Sequence, residues 1–195
     1  PEVMEKMGNK SEAISMMKSA GVPIVPGSYG AVNAEQGLEI AREIGFPVLI
    51  KASAGGGGKG IRQVSNEKEF MDMFQEAKEE AKKFFGNDEL YIEKLVLNPR
   101  HIEVQVVGDK YGHHIHLFER NCSMQRRKQK ILEEAPCQSI SKELRTKLHE
   151  AALLACKAVD YDSVGTIEFL VDEDENFYFI EMNTRIQVEH SITEE

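Results

Sequence analysis

The stretch Phe177-Tyr-Phe-Ile-Glu181-Met-Asn183-Thr-Arg185-Ile-Gln187-Val-Glu189-His190 begins as an apolar strand and then sets a polar or charged residue at every second position. Alternate residues of a strand share a face, so Glu181, Asn183, Arg185 and Gln187 are expected to project the same way. Two oxygen ligands, a guanidinium and an amide on one face make a costly core. They suit a metal ion and an anion lying side by side. Upstream, Thr166-Ile-Glu168-Phe-Leu170 predicts the partner strand of a hairpin closed by Glu173-Asp-Glu-Asn176. Pairing Asp172 with Phe177 sets Leu170 opposite Phe179 and Glu168 opposite Glu181. Like charges directly opposite on a sheet repel, and a divalent cation between them would lift the penalty.

These residues need elements to hold them. Lys10 to Ala20 has helical spacing and stops at Gly21; Asn33, with Gln36 three residues on, predicts a capped helix running to Gly45. Phe46 to Ala52 and Ile61 to Val64 are short, β-rich apolar runs that predict strands, and Ser65 or Asn66 caps a long helix closed by Gly86. Leu90 to Val96, His101 to Val107 and His114 to Glu119 predict further strands, with a turn at Asp109-Lys-Tyr-Gly112. Ser141 to Val159 is amphipathic. Helices and strands alternate, but neighbouring strands are joined by short turns, which predicts α+β with mainly antiparallel sheets and flanking helices.

The chain has 195 residues, 41% of them hydrophobic, and a formal net charge of −9. That charge argues against a nucleic-acid surface as the main role, so an anionic substrate would need a local basic pocket. No apolar run approaches membrane-spanning length and no signal peptide precedes the first helix, so no membrane role is expected. Cys122, Cys137 and Cys156 are odd in number and widely spaced, which predicts buried thiols in a reducing, intracellular compartment rather than a disulfide framework. Both ends look cut, so a fragment is expected.

Between the first two strands lies Ala54-Gly-Gly-Gly-Gly-Lys59-Gly60. Gly55, Gly57 and Gly60 fit G-x-G-x-x-G, but a strand follows where the dinucleotide fingerprint requires a helix. Lys59 is followed by glycine, which excludes a Walker A loop. A hairpin lid over nucleotide phosphates fits, because glycines let backbone N–H groups approach phosphate oxygens; a flexible surface hairpin is the plain alternative. Lys51, ending the strand before this loop, either snorkels to solvent or reaches a phosphate, and its place beside the lid favours a phosphate clamp.

Met7-Gly-Asn-Lys10, Ile50 to Gly60, Glu93-Lys94, Asn98-Pro-Arg-His101-Ile-Glu-Val-Gln-Val, Cys122-Ser-Met-Gln-Arg-Arg-Lys-Gln-Lys130, Glu133-Glu-Ala-Pro136 and Glu181 to His190 together resemble the biotin carboxylase branch of the ATP-grasp family. The resemblance runs along nearly the whole chain in family order. It implies an ATP-grasp fold and ATP-dependent carboxylation of carrier-bound biotin by bicarbonate through carboxyphosphate. Lys10, Lys51, His101 and Gln125 would contact ATP phosphates under a lid carrying Gly56, Gly57 and Gly58, while Glu93, Lys94, Val96 and Leu170 would hold the adenine. Glu168, Glu181 and Asn183 would bind Mg²⁺ or Mn²⁺. Lys130, Arg185, Gln187 and Val188 would surround bicarbonate, with Glu189 as the base and Lys130 and Arg185 assisting catalysis.

The same resemblance implies three segments: 1–50 as the end of an N-terminal subdomain with linker helices, 51–112 as the lid subdomain, and 113–195 as the start of a truncated C-terminal subdomain. It implies a biotin carboxyl carrier protein or domain and a carboxyltransferase as partners, and a homodimer of the full-length enzyme. Glu133-Glu-Ala-Pro136 leans toward acyl-CoA carboxylases, in the cytoplasm or in a mitochondrial matrix or plastid. Lys128 stands where the family usually has histidine or asparagine, and Ser191 where it has proline. The family's enolate-stabilising arginine falls beyond Glu195, so the isolated chain is expected to be incomplete for carboxyl transfer. Another ATP-grasp ligase of carbamoyl-phosphate type, or a non-catalytic nucleotide-binding piece, are the alternatives.

Plainer roles are expected elsewhere. His113, His114 and His116 flank a turn without a third ligand and predict an exposed hairpin. Arg126 to Lys130 reads as a solvated basic run or a nucleic-acid patch; it lacks the aromatic interleaving of the latter and fits phosphate or bicarbonate contact better. Glu76 to Lys83 is a solvated helix face, and Met16, Met17, Met71 and Met73 fill core.

Overall fold

A computed structural model describes Met7 and residues 10–53, 60–127 and 129–195. The chain divides into two compact units, Val25–Leu95 on one side and Pro1–Ile24 with Val96–Glu195 on the other. Arg100–Gly108 is hydrogen-bonded with the C-terminal strands.

In Val25–Leu95, α1 has already ended (Lys10–Ser19) and the elements are α2 (Ala34–Ile44), β1 (Val48–Ala52), β2 (Ile61–Val64), α3 (Glu67–Phe85) and β3 (Leu90–Lys94). The three strands form an antiparallel sheet in the order β2-β1-β3. The helix starts follow their sequence signals. Asn33 and Gln36 close a capping box on α2, Asn66 and Glu69 close one on α3, and Gly86 ends α3 in the left-handed conformation that favours glycine. The α3 face Phe70, Phe74, Ala77 and Ala81 packs with Val48, Ile50 and Ile92 of the sheet in one buried cluster. Gly56, Gly57 and Gly58, expected to carry the phosphate lid, lie outside the described residues. The strands on either side of that loop do pair antiparallel, Lys51 opposite Ile61.

The other unit holds α1, β4 (Arg100–Gly108), β5 (His114–Arg126), β6 (Gln129–Glu134), α4 (Lys142–Ala158), β7 (Val164–Val171), β8 (Phe177–Asn183), a 3-10 turn at Val188–His190 and the short α5 (Ser191–Glu194). Its five strands form one antiparallel sheet in the order β6-β5-β4-β7-β8. Period-two alternation divides the sheet into two unlike faces. Ile102, Val104 and Val106 of β4 and Ile167, Phe169 and Val171 of β7 join Leu144, Leu148, Ala152 and Ala155 of α4 in the core. The intervening residues, His101, Glu103, Gln105, Thr166 and Glu168, turn polar groups to the opposite face, and all but His101 are buried.

Three expectations need correction. The β7–β8 hairpin starts one residue out of the expected register, with Val171 opposite Phe177 and Leu170 opposite Tyr178, and a bulge between Glu168 and Phe169 restores it so that Glu168 does face Glu181. The alternating strand ends at Asn183, opposite Thr166, and Arg185 and Gln187 lie past it. Finally, β5 runs past the expected end at Glu119 to Arg126, and β6 begins at Gln129. All three cysteines are free and buried, and burial pushes the Cys156 thiol up to about 12.

Candidate functional site

On the polar face of the five-stranded sheet, Lys130 of β6 reaches three carboxylates. Its Nζ donates to Glu103 Oε2 at 2.5 Å, Glu189 Oε1 at 2.8 Å and Glu168 Oε1 at 3.0 Å. An ammonium has three donors, and each finds a different chain segment: β4, the 3-10 turn and β7. Asn183 Nδ2 donates to Glu168 Oε1 at 2.9 Å, and buried Gln187 Nε2 donates to the same oxygen at 3.2 Å. The turn following β8 is thereby tied back onto the strand pair. Glu168 Oε2 lies 2.8 Å from His101 Nε2, and His101 Nδ1 lies 2.7 Å from Gln125 Nε2.

These contacts outweigh burial. Burial pushes the Glu168 carboxyl up, but His101 and Lys130 hold it at about 2. Glu189 is likewise pushed up by burial and held below the usual carboxylate range by Lys130. Burial works against the Lys130 cation, and the carboxylates of Glu103 and Glu189 overcome it, raising the ammonium well above its ordinary value.

The sequence-derived residues separate into those this face gathers and those it does not. Lys130, Glu168, Asn183, Gln187, Glu189, His101 and Gln125 form one connected set. Glu181 faces Glu168 across the hairpin, yet is exposed and makes no hydrogen bond or ion pair among the described residues. Arg185 is exposed and donates only to Ile186 O at 3.1 Å, and Val188 is 92% exposed. Leu170 pairs with His101 across β4 and β7, and Val96 is half-buried ahead of β4. In the Val25–Leu95 unit, Lys51 is ion-paired with Glu93, and Lys94 Nζ donates to Gly45 O at 2.8 Å and Phe46 O at 3.2 Å. The Lys10 side chain and Lys128 lie outside the described residues.

Two residues of the set were missed. Glu103 carried the same signal used for β8, since His101-Ile-Glu103-Val-Gln105-Val also alternates polar and apolar. Arg120 carried none. It is fully buried on β5 and paired with Glu103 Oε1 at 2.5 Å. Among the described residues, His101, Glu103 and Glu168 form the one group of three or more His, Cys, Asp and Glu side chains able to hold a metal ion, with ligand atoms all within 4.8 Å.

The donors present fit a divalent cation. His101 Nε2 is buried with no hydrogen-bond partner, since its approach to Glu168 is out of line for one. Four carboxylates, Glu103, Glu168, Glu181 and Glu189, lie on this face with the cations Lys130 and Arg120. A carboxylate-rich set of this kind suits Mg²⁺ or Mn²⁺.

The histidine turn behaves differently from expectation. His113 sits 2.8 Å from Asp109 Oδ2 in the open, whereas His116 stacks on His149 of α4 at 3.9 Å between ring centroids.

Comparison with known proteins agrees with the resemblance. The family model described as carbamoyl-phosphate synthase L chain, ATP binding domain, matches residues 9–195. A biotin carboxylase of Nostoc sp. is 55% identical over the whole chain, which covers 44% of that protein. Among solved structures, a Campylobacter jejuni biotin carboxylase in a β-γ-ATP complex is 53% identical with a TM-score of 0.84, over 99% of this chain and 44% of that one. The biotin carboxylase domain dimer of Hydrogenobacter thermophilus 2-oxoglutarate carboxylase, complexed with MgADP, ADP and bicarbonate, is 53% identical with a TM-score of 0.82, over 99% of this chain and 43% of that one. The chain thus spans less than half the length of the curated relatives it matches. Its α+β architecture is the ATP-grasp fold of these neighbours.

Proposed function

The chain belongs to the family of carbamoyl-phosphate synthase L chain ATP-binding domains, and from that premise we propose that it is the central part of a biotin carboxylase, an ATP-dependent ligase that carboxylates carrier-bound biotin with bicarbonate. One observation carries this reading. Lys130 and Glu189 meet at 2.8 Å, beside Gln187 and a carboxylate pair, Glu168 and Glu181, on one polar sheet face. A base and a cation side by side can hold bicarbonate and take its proton.

In this reading bicarbonate inserts between Lys130 and Glu189. The Lys130 ammonium then pairs with the anion, which frees Glu189 from the contact that keeps it a weak base. Arg185, exposed and without a competing carboxylate, swings its planar fork onto the carbonate. Gln187 and the Val188 backbone complete the cradle. The deprotonated oxygen attacks the γ-phosphorus and ADP leaves, a step governed by positioning and charge neutralisation. Glu168, Glu181 and Asn183, with Glu103 nearby, would hold Mg²⁺ or Mn²⁺, which supplies positive charge to the transferring phosphoryl group.

The nucleotide roles follow the resemblance alone. Lys51, His101, Gln125 and Lys10 are assigned to phosphates, Gly56, Gly57 and Gly58 to the covering loop, and Glu93, Lys94, Val96 and Leu170 to adenine. Biotin is a substrate on a carrier protein or domain, a carboxyltransferase consumes the carboxybiotin, and the whole enzyme is a homodimer serving an acyl-CoA carboxylase. Its compartment is the cytoplasm, or a mitochondrial matrix or plastid. No helix among the described residues is long and apolar enough to cross a membrane.

The test is ATP cleavage by the full-length protein with bicarbonate and free biotin varied independently. The expected result is phosphate release that needs bicarbonate and rises with biotin. Cleavage indifferent to both removes the assignment, and stimulation by ammonia in place of biotin would move it to the carbamoyl-phosphate chemistry that names the family model.

A further inference from the structure

Arg120 is 0% exposed, and a buried guanidinium is tolerated only when its donors are satisfied. Here all five are, each by a different residue. Nε donates to Glu103 Oε1 at 2.5 Å. One terminal nitrogen donates to Gln105 Oε1 at 2.7 Å and Thr193 Oγ1 at 3.0 Å, and the other to Thr166 Oγ1 at 3.3 Å and Gln187 Oε1 at 3.4 Å. Three of these acceptors lie on β4 and β7, in the sheet. The remaining two flank the 3-10 turn carrying Glu189, one on each side.

Two of the bonds decide how reactive groups are presented. Glu103 gives Oε1 to Arg120 and therefore turns Oε2 to Lys130. Gln187 gives its amide oxygen to Arg120 and therefore turns its amide nitrogen to Glu168. An amide free to flip would turn its oxygen, the wrong atom, toward Glu168, whereas the two equivalent oxygens of Glu103 need only be held in place. A lysine could not substitute, since three donors on a flexible stem cannot span acceptors on four separate segments.

We infer that Arg120 is a positioning residue for the anion cradle: it clamps the Gln187-to-Thr193 segment onto the sheet and fixes the orientation of the Gln187 amide and the Glu103 carboxylate. It touches neither nucleotide nor bicarbonate. The inference rests on the bicarbonate reading of the same segment.

The test separates the two. Initial rates of ATP cleavage are measured in the full-length protein for wild type, Arg120→Lys and Thr193→Val, varying bicarbonate and MgATP in turn, with a thermal melt for each. Arg120→Lys is expected to raise the bicarbonate KM about tenfold while the MgATP KM stays within about twofold. Thr193→Val, which removes one acceptor at a half-buried position, is expected to raise it about threefold and to lower the melt less than Arg120→Lys does. A purely structural residue would lower the melting temperature and scale kcat for both substrates alike, leaving the bicarbonate KM in place. A folded Arg120→Lys with the wild-type bicarbonate KM overturns the inference. If that variant does not fold, an unmoved KM in Thr193→Val overturns it instead. Wild-type cleavage that ignores bicarbonate overturns the functional reading, and this inference falls with it.

Discussion

Glu119 and Arg120 are neighbours on β5 and point to opposite faces of the same sheet, each at the centre of a buried ionic cluster. On the helix face, Glu119 lies 2.6 Å from His149 Nε2 and accepts from Arg145 Nε at 2.8 Å and the Cys137 backbone at 3.2 Å; Arg145 in turn donates to Cys137 O. One carboxylate meets its partners and little is left over. On the other face, four carboxylates share two cations, one carboxylate has no partner, and Lys130 and Glu189 keep partial contact with solvent. Balanced charge and full burial stabilise a fold. Surplus charge of one sign beside solvent costs stability unless a ligand completes it.

If that contrast is right, charge removal on the two faces should fail in different currencies. The largest effect is expected from Glu189→Gln on the open face. Bicarbonate-dependent turnover should fall about 10²–10⁴-fold, the range for loss of a general base. MgATP binding should persist, and so should the fold, because Lys130 keeps Glu103 and Glu168. Retained turnover would remove Glu189 as the base.

Glu119→Gln on the closed face should do the reverse. Breaking one member of a buried pair costs about 3 kcal/mol, to be read from denaturant unfolding, while kcat per folded molecule stays close to wild type. The pH dependence sharpens the point. Burial raises the Glu119 carboxyl, but His149 and Arg145 outweigh it and hold it below the usual range. A depressed folded pKa stabilises above the unfolded value and the contribution is lost as pH falls. The gap between wild type and variant should therefore narrow below about pH 4. A gap that widened in acid would contradict the ionised carboxylate.

How much of this was legible in the sequence differs between the faces for a physical reason. Helix starts are local, so Asn33 with Gln36 and Asn66 with Glu69 announced α2 and α3. The pairing of Glu168 with Glu181 was legible from hairpin length, although a bulge restored it by a route that alternation does not encode. The same alternation carried too far makes Arg185 and Gln187 strand residues, although β8 stops pairing at Asn183 and the alternation does not mark that end. Arg120 is illegible because its acceptors lie 15 to 73 residues away in sequence. Glu103 is readable from the β4 alternation, which sets it on the same face as His101 and Gln105 and directly opposite Glu168.

The smallest effect should come from Glu181, the carboxylate that neither face uses internally. Glu181→Gln removes no observed contact, so unfolding free energy should move by less than about 0.5 kcal/mol, as for a surface change. It could even rise, since a like charge opposite Glu168 is relieved. Metal dependence is where the loss should appear. The Mg²⁺ concentration for half-maximal MgATP binding should increase about tenfold, the lower end of what losing a supporting carboxylate costs a metal site. Nucleotide binding titrated at limiting Mg²⁺ reads this without turnover. An unchanged midpoint would leave Glu168 and Glu103 as the cation's carboxylates and make Glu181 a surface charge that merely tolerates its neighbour.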